Sequence, residues 1–202
     1  MYAALILAGG KSRRMGRDKL MLPQDGSTVL ETAVGRFSEK FSRVLLSVDN
    51  ASRYPEIPVP HVADKFPGCG PLAGLHAGLE AAGEEGVFLA AADLPFSDPE
   101  TALRMIELCG EHEICVIRDG GGRFEPLFGC YRISVLPKAE ELLVTGKRAM
   151  TDLFEISDTL VIAASELGIR EDSRMLANMN RPEDYKKLLG ADKTALAFSP
   201  QE

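Results

Sequence analysis

The stretch Leu5–Lys19, LILAGGKSRRMGRDK, joins an apolar run to two adjacent glycines, and five basic residues follow within nine positions. A short apolar run that ends at glycine is typical of a strand buried on both faces of a parallel sheet. Ligands of such sheets bind at the carboxyl ends of the strands, where glycines let backbone N–H groups approach an anion closely. Because five neighbouring cations repel one another, the stretch predicts a loop that binds phosphate.

The loop matches neither of two common phosphate-binding motifs. A Walker A motif needs a glycine five positions before the glycine of its Gly-Lys-Ser triplet, and Leu5 stands there relative to Gly10. The dinucleotide-binding fingerprint GxGxxG also fails, because Gly9 and Gly10 are adjacent and the next glycine is Gly16. The GKS triplet is therefore a coincidence, and the place of the loop after a strand is what indicates its role.

The whole chain has 202 residues and a net charge of −7, with 26% charged residues. This size suits one domain, residues 1–190, and the loss of periodicity after Gly190 predicts a flexible tail over residues 191–202. The acidic balance argues against nucleic-acid and membrane-surface partners, and no apolar run approaches the roughly 20 residues that span a bilayer. Four irregularly spaced cysteines predict reduced, mostly buried thiols, and the N-terminus resembles no export signal, so we expect a cytoplasmic protein.

Short apolar runs alternate with longer helical patterns, which predicts an α/β fold with a mostly parallel sheet. Capping patterns mark two helix starts, one at Thr28 with Glu31 and one at Ser97 with Glu100. The predicted helices begin near Thr28, Ser97, Pro71, Ser134 and Pro182. The predicted strands are Tyr2–Ala8, Arg43–Val48, Gly86–Ala92, Glu113–Ile117, Leu127–Tyr131 and Thr159–Ile162.

Two further segments place acidic or small residues where a ligand of the sheet would lie. In VFLAAADLPF, Asp93 ends an apolar strand, and its carboxylate must emerge there because burying an unpaired charge is costly. Mg²⁺ takes one or two carboxylates together with substrate phosphates, so Asp93 is a candidate metal ligand, with a helix cap as the alternative. In GPLAGLHAGLE, the glycines at Gly70, Gly74 and Gly78 indicate either close packing against a strand or a ligand pocket. His76 on the same helix is expected to pack in the core.

The segment LAGGKSRRMGRDK resembles the signature of nucleotidyltransferases with the nucleotide-diphospho-sugar transferase fold, and most closely that of the molybdenum cofactor guanylyltransferases. This resemblance implies a three-layer α/β/α, Rossmann-like fold. It also implies an enzyme that transfers GMP from Mg-GTP to the phosphate of molybdopterin and releases pyrophosphate. In that family the loop wraps the triphosphate, so Lys19 carries over as the principal catalytic cation and Arg14 as its helper. The positions that match the signature are Leu7, Ala8, Gly9, Gly10, Arg14, Met15, Gly16 and Lys19.

Other motifs of the family carry over residue by residue. Asp93 matches the metal ligand of the family's D-x-P-[FY] segment, which makes Mg²⁺ the expected cofactor. NMNRPEDY is similar to the family's Asn-x-Asn-Thr-Pro-Glu-Asp, with Arg181 in place of threonine. FEPLFGCY resembles the strand of the family that faces the second substrate. Lys147 and Arg148 either contact the phosphate of the pterin or lie in solvent at the start of a helix. The nucleotide-binding residues implied by the resemblance are Leu7, Ala8, Gly9, Gly10, Lys19, Ser47, Asp64, Gly70, Gly74, Asp93, Asn178 and Asn180.

Several alternatives stay open at this point. Cytidylyl relatives that make the cytosine dinucleotide cofactor carry LAAG and a serine-containing segment, whereas LAGG and GPLAG are intact here. Sugar-phosphate and isoprenoid-precursor nucleotidyltransferases also usually carry LAAG. A non-catalytic nucleotide- or pterin-binding module is expected to have lost Asp93 or Lys19, and both are present. Ser47 stands where the family often has asparagine, which leaves the base contact open. The expected partners are GTP, molybdopterin, and transient proteins that deliver molybdopterin or accept the cofactor.

Overall fold

The computed structural model describes residues 1–9, 18–83, 85–170 and 172–190. Within these ranges, strands and helices alternate along most of the chain, as the apolar runs predict. The strands are β1 (Tyr2–Leu7), β2 (Pro23–Gln24), β3 (Ser27–Thr28), β4 (Val44–Val48), β5 (His61–Ala63), β6 (Gly86–Ala91), β7 (Ile114–Arg118), β8 (Phe124–Arg132) and β9 (Thr159–Ala163). The α-helices are α1 (Val29–Ser38), α2 (Pro71–Ala82), α3 (Pro99–Cys109), α4 (Leu136–Val144), α5 (Met150–Glu155) and α6 (Pro182–Leu189). Short 3-10 helices cover Lys19–Met21, Ile133–Val135 and Ala164–Leu167.

Seven strands form one sheet in the order β5-β4-β1-β6-β8-β7-β9. Strand β8 runs antiparallel to both of its neighbours, and the other pairs in the sheet are parallel. The sheet is therefore mostly parallel, as the sequence predicts. Strands β2 and β3 pair separately as a small hairpin. The carboxyl ends of β1, β4 and β6 meet at one edge, and the amino end of β8 reaches that same edge because β8 runs the opposite way.

Helices cover both faces of the sheet, which gives the three layers that the resemblance implies. Alternate residues of β1 point to opposite faces, so Ala4 and Ile6 join one core and Ala3 and Leu5 join the other. The first core packs against buried residues of α1, α3 and α6, and the second packs against those of α2, α4 and α5. Both cores lie against the central strands, which fixes the loops at the carboxyl edge on a rigid support.

The six predicted strands and five predicted helices are confirmed, with strand ends shifted by a few residues. The sequence patterns do not predict strand β5, helix α5 or the β2–β3 hairpin, because these elements are only two to six residues long and lack periodicity. The Thr28–Glu31 capping box at the start of α1 is present as predicted. The capping pattern assigned to Ser97 is wrong: Ser97 is buried, and the Asp98 side chain caps α3 by accepting a hydrogen bond from Thr101 N at 2.9 Å.

The four cysteines are free thiols, and Cys109, Cys115 and Cys130 are buried while Cys69 is half-buried. Within the described ranges, no helix is both long enough and apolar enough to cross a bilayer. The predicted tail, residues 191–202, lies outside the described residues.

Candidate active site

Lys19, Asp93 and Asn180 meet at the carboxyl edge of the sheet although they lie far apart in the sequence. Lys19 Nζ donates to Asp93 Oδ2 at 2.6 Å and to Asn180 Oδ1 at 3.1 Å. The side chains of Lys19 and Asp93 are 18% and 19% exposed, so the ion pair is largely shielded from water. The described structure thus brings together three of the residues that the resemblance assigns to phosphate and metal binding.

Backbone hydrogen bonds hold these three residues in place. Asp93 follows β6 in a turn that stays attached to β1, because Ala92 N donates to Leu7 O at 3.0 Å. Met179 N donates to Asp93 O at 2.9 Å, which ties the NMN segment to the same turn. Lys19 begins the 3-10 helix Lys19–Met21, whose N-cap is the residue directly before it. The ends of two adjacent strands and one short helix therefore determine where the charged groups stand.

Asp184, which matches the final Asp of the family motif, supports the backbone next to Arg181. The Asp184 carboxylate accepts hydrogen bonds from Asn180 N at 3.0 Å and from Arg181 N at 2.8 Å. These bonds fix the start of α6 and the backbone of Asn180. Both bonds come from backbone N–H groups, so they form with Arg181 in the place of threonine.

Glu125, in the segment FEPLFGCY, is a site residue that the sequence motifs alone do not single out. Glu125 lies at the amino end of β8, which reaches the same edge of the sheet as the carboxyl end of β6, and the Asp93 charge acts on its carboxylate. The Asn178 side chain donates a hydrogen bond to the Glu125 carboxylate. Burial raises the pKa of Glu125, and the charge of the nearby Asp93 raises it further. The signal in the sequence is an acidic residue within the apolar segment FEPLFGCY, but its proximity to Asp93 is visible only in the fold.

The glycines of α2 serve two different purposes. A Cβ on Gly74 would lie 2.6 Å from Ser47 Oγ and 2.7 Å from Leu7 Cδ2, so Gly74 lets α2 pack directly on β1 and β4. Gly78 is in the same situation against the Leu5 side chain. Gly70, in contrast, is exposed, has open space around it, and caps the helix with φ +73°, a conformation that favours glycine.

Close packing is therefore the reason for two of the three glycines, and Ser47 is buried against Gly74 with 2% of its surface exposed. Ala8 N donates to Ser47 O at 2.9 Å, which joins the ends of β1 and β4. The assignment of Ser47 and Gly74 to nucleotide binding remains a prediction. The buried His76 packs its ring edge-on against Phe66, with ring centroids 5.2 Å apart, as expected for a core histidine.

Asp64 lies just after β5 and carries a carboxylate oxygen that lacks a partner. Its Oδ1 atom is buried and accepts no hydrogen bond from any residue that the structure describes. Burial raises the pKa of Asp64 to about 6, and the nearby Asp49 carboxylate contributes to the shift. A buried acceptor without a donor costs free energy, so this atom is suited to receive an N–H or O–H group of a ligand.

The remaining predicted residues divide into three groups. Leu7, Ala8 and Gly9 lie at or just beyond the end of β1, at the edge where Asp93 stands, and Gly9 is exposed with open space beside it. Gly10 and Arg14 of the phosphate loop lie outside the described residues, so their roles remain predictions. Lys147 and Arg148 are exposed in the segment between α4 and α5.

The groups around Asp93 fit a hard divalent cation. Two carboxylates, Asp93 and Glu125, stand with the amides of Asn178 and Asn180, and oxygen ligands of this kind are those that Mg²⁺ and Mn²⁺ prefer. In the described parts of the chain, no cluster of three or more His, Cys, Asp or Glu residues is arranged to hold a metal by itself. A cation at Asp93 would therefore complete its shell with phosphate oxygens and water, as is usual for nucleotide-bound Mg²⁺.

Comparisons with known proteins agree with this geometry. Residues 4–160 match the family described as the MobA-like NTP transferase domain. A protein of Carboxydothermus hydrogenoformans named "Probable molybdenum cofactor guanylyltransferase" is 36% identical over 185 residues, which cover 91% of this chain and 93% of that one. A protein of the same name from Mycobacterium tuberculosis H37Rv is 35% identical over 183 residues, covering 88% of both chains. The crystal structure of molybdopterin-guanine dinucleotide biosynthesis protein A from Archaeoglobus fulgidus has the same fold, with a TM-score of 0.81, 22% identity, and coverage of 93% of this chain and 97% of that one.

Proposed function

The chain belongs to the MobA-like NTP transferase family, and we propose that it transfers GMP from metal-bound GTP to the phosphate of molybdopterin. It is a nucleotidyltransferase, and its curated relatives are named molybdenum cofactor guanylyltransferases over nearly their whole length. The acceptor phosphate forms a bond to the α-phosphorus of GTP, the bond from that phosphorus to the bridging oxygen breaks, and pyrophosphate leaves. The product is the guanine dinucleotide form of the cofactor.

The observation that carries this proposal is the contact of Lys19 with Asp93 and Asn180. At the end of a parallel strand, the ammonium group of Lys19 and the carboxylate of Asp93 lie 2.6 Å apart, so one cationic and one anionic group stand at the same place. The cationic group suits the charge that builds on the phosphates during transfer, and the carboxylate suits a cation that accompanies them. Enzymes catalyse phosphoryl transfer mainly by positioning the reactants and stabilising charge, which groups of this kind can do without forming a covalent bond to the substrate.

Asp93 is the proposed ligand of the metal. Glu125, which accepts a hydrogen bond from Asn178, adds a second negative charge near the proposed cation. We take the metal to be Mg²⁺ because the donor atoms are oxygens and because the substrate is a nucleoside triphosphate. When bound, the metal neutralises phosphate charge during the transfer. Lys19 must release Asp93 as the metal-bound nucleotide arrives, and its ammonium group then donates to a phosphate oxygen instead.

The base and ribose of GTP are assigned to the side of the edge formed by β4, β5 and the start of α2. Asp64 offers a buried, unpartnered oxygen to an N–H or O–H group of the nucleoside, and exposed Gly70 leaves room for it. Leu7, Ala8 and Gly9, at the end of β1 between β4 and β6, are assigned to the stretch between this side and Asp93. Molybdopterin is assigned to the opposite side, where Glu125 and Asn178 lie. We propose that this chemistry takes place in the cytoplasm, with transient proteins that deliver molybdopterin and receive the product.

The cytidylyl alternative is less favoured, because the relatives at 35–36% identity carry the guanylyl name and LAGG and GPLAG are both intact. A non-catalytic binding module is also less favoured, since Lys19 and Asp93 are present and in contact.

The experiment that tests the function is identification of the product. Purified protein is incubated with molybdopterin, GTP and Mg²⁺, and the pterin products are separated and weighed by mass spectrometry. We expect the mass of molybdopterin to increase by one guanylyl group in step with pyrophosphate release. The Asp93→Asn variant is the control and is expected to form no product, whereas pyrophosphate release without a change in the pterin would contradict the proposed acceptor.

A further inference from the structure

Asp18, the residue directly before Lys19, is held by the loop that follows β4. Asp18 Oδ2 accepts hydrogen bonds from Arg53 Nη2 at 2.6 Å and from Tyr54 OH at 2.7 Å, while Oδ1 accepts from Leu20 N at 3.2 Å. Arg53 also donates from Nη1 to Asp49 Oδ1 at 3.1 Å. The guanidinium group thus links two acids, one before the 3-10 helix of Lys19 and one at the end of β4.

This cluster is built into the fold at a cost in free energy. Tyr54 adopts φ +59°, a left-handed conformation that is unfavourable for an aromatic residue, and its side chain is nevertheless buried with 4% exposed. The Arg53 guanidinium lies 4.7 Å from the centroid of the Tyr54 ring, which adds a cation–π contact. Strain of this kind persists where the surrounding structure fixes the residue, and it clusters at functional sites.

The cluster fixes the backbone from which Lys19 extends. Asp18 is the N-cap of the helix Lys19–Met21, and its side chain is largely shielded, with 27% exposed against 22% for Arg53. Burial alone would raise the pKa of Asp18, but the hydrogen bonds from Arg53, Tyr54 and Leu20 N hold it below its usual value. The carboxylate therefore stays charged and paired at neutral pH.

We propose that Arg53 and Tyr54 are positioning residues for the reaction: acting through Asp18, they hold Lys19 at the distance and angle at which its ammonium group reaches Asp93 and the incoming phosphates. The inference rests on the proposed function for its catalytic consequence and on the contacts alone for its structural part. Neither side chain needs to touch the nucleotide. A misplacement of about 1 Å at a reacting group can lower a rate about a hundredfold, which is the scale of effect expected here.

The competing explanation is that the cluster only stabilises the loop after β4. A matched control separates the two explanations, because the chain offers a similar ion pair elsewhere. Lys138 pairs with Glu113, the two side chains are 30% and 21% exposed, and the pair lies at the amino end of β7, the opposite edge of the sheet. Arg53→Ala removes the ion pairs with both Asp18 and Asp49, whereas Lys138→Ala and Asp18→Asn each remove one, and of these one-pair variants only Asp18→Asn acts beside Lys19.

The test compares Arg53→Ala, Tyr54→Phe and Lys138→Ala in two measurements on the whole protein. The first is the rate at which an acetylating reagent modifies Lys19 in the ligand-free protein, read by peptide mass spectrometry. The second is the kcat of GMP transfer and the KM for molybdopterin. For Arg53→Ala we expect several-fold faster labelling of Lys19 and a kcat lowered about tenfold to a hundredfold, with the KM for molybdopterin within about twofold. Tyr54→Phe is expected to show a smaller effect in the same direction, and Lys138→Ala none in either measurement.

Equal labelling and equal kcat in Arg53→Ala and Lys138→Ala would overturn the inference. If Arg53→Ala does not fold, Asp18→Asn takes its place, since asparagine still caps the helix but loses the charged pair with Arg53. The labelling result does not depend on the substrate. A wild-type protein that fails to transfer GMP therefore contradicts the proposed function alone, and unchanged labelling contradicts the positioning role alone.

Discussion

Replacing Lys19 by alanine is predicted to tighten the binding of a divalent cation to the ligand-free protein while it abolishes nucleotide transfer. The reason is that Lys19 and a cation compete for the same carboxylate, because Lys19 Nζ already donates to Asp93 Oδ2 at 2.6 Å. Removing the ammonium group leaves Asp93 free for the metal. A residue that helps catalysis therefore weakens metal binding in the resting protein.

The magnitude follows from the shielding of this pair. With 18% and 19% of the two side chains exposed, the pair is neither a surface ion pair nor a fully buried one. Hydrogen bonds that involve charged groups contribute about 1.5–3 kcal/mol, which exceeds the typical surface value of about 0–1 kcal/mol. Since about 1.4 kcal/mol corresponds to a factor of ten, the Kd of the cation should fall roughly tenfold to a hundredfold in Lys19→Ala.

The assay titrates Mn²⁺ into the ligand-free protein and follows free Mn²⁺ by electron paramagnetic resonance. Lys138→Ala serves as the control for loss of a lysine at the opposite edge of the sheet, and its Mn²⁺ affinity is expected to equal that of the wild type. The double variant Lys19→Ala, Asp93→Asn is expected to lose the gain. Unchanged Mn²⁺ affinity in Lys19→Ala, or a gain that survives removal of the Asp93 carboxylate, would refute the competition.

Two further predictions concern packing and the nucleoside pocket. In Gly74→Ala the new Cβ would lie 2.6 Å from Ser47 Oγ, so we expect a loss of about 1–3 kcal/mol in unfolding free energy and a lower Tm by scanning fluorimetry. Gly35→Ala, on the open side of α1, is expected to gain about 0.5–1 kcal/mol, and equal Tm shifts in the two variants would contradict this account of α2 packing. Because the pKa of Asp64 is about 6 and its ionised form is the stronger acceptor, the affinity for guanosine, which has no phosphate that titrates in this range, should weaken as pH falls through about 6. Calorimetric titration should find that slope absent in Asp64→Asn, and a slope that persists there would assign the titration to another group.

The secondary structure could be predicted from the sequence wherever apolar runs were long enough. The runs at β1 and β6 are apolar on both faces, which is why a central parallel sheet was predictable without a structure. Short elements such as β5 and α5 carry no periodic signal, and their existence depends on neighbours that pair or pack with them.

The candidate site was predictable residue by residue but not as a set of contacts. Asp93 can be recognised in the sequence because it is an acid that follows an apolar strand. Its contact with Lys19 cannot be recognised there, because the two positions are 74 residues apart. Glu125 reaches the same edge because β8 runs antiparallel to β6, which no local pattern encodes. The left-handed conformation of Tyr54 is equally invisible, because it arises from tertiary contacts that override the preference of the residue.

The central claim, that GMP is the group transferred and molybdopterin its acceptor, is tested most directly by competition between nucleotides. The protein is given molybdopterin and Mg²⁺ with equal concentrations of GTP and CTP, and the two dinucleotide products are separated and quantified. We expect the guanine dinucleotide in large excess over the cytosine form. A product mixture dominated by the cytosine form, or one without either dinucleotide, would contradict the claim.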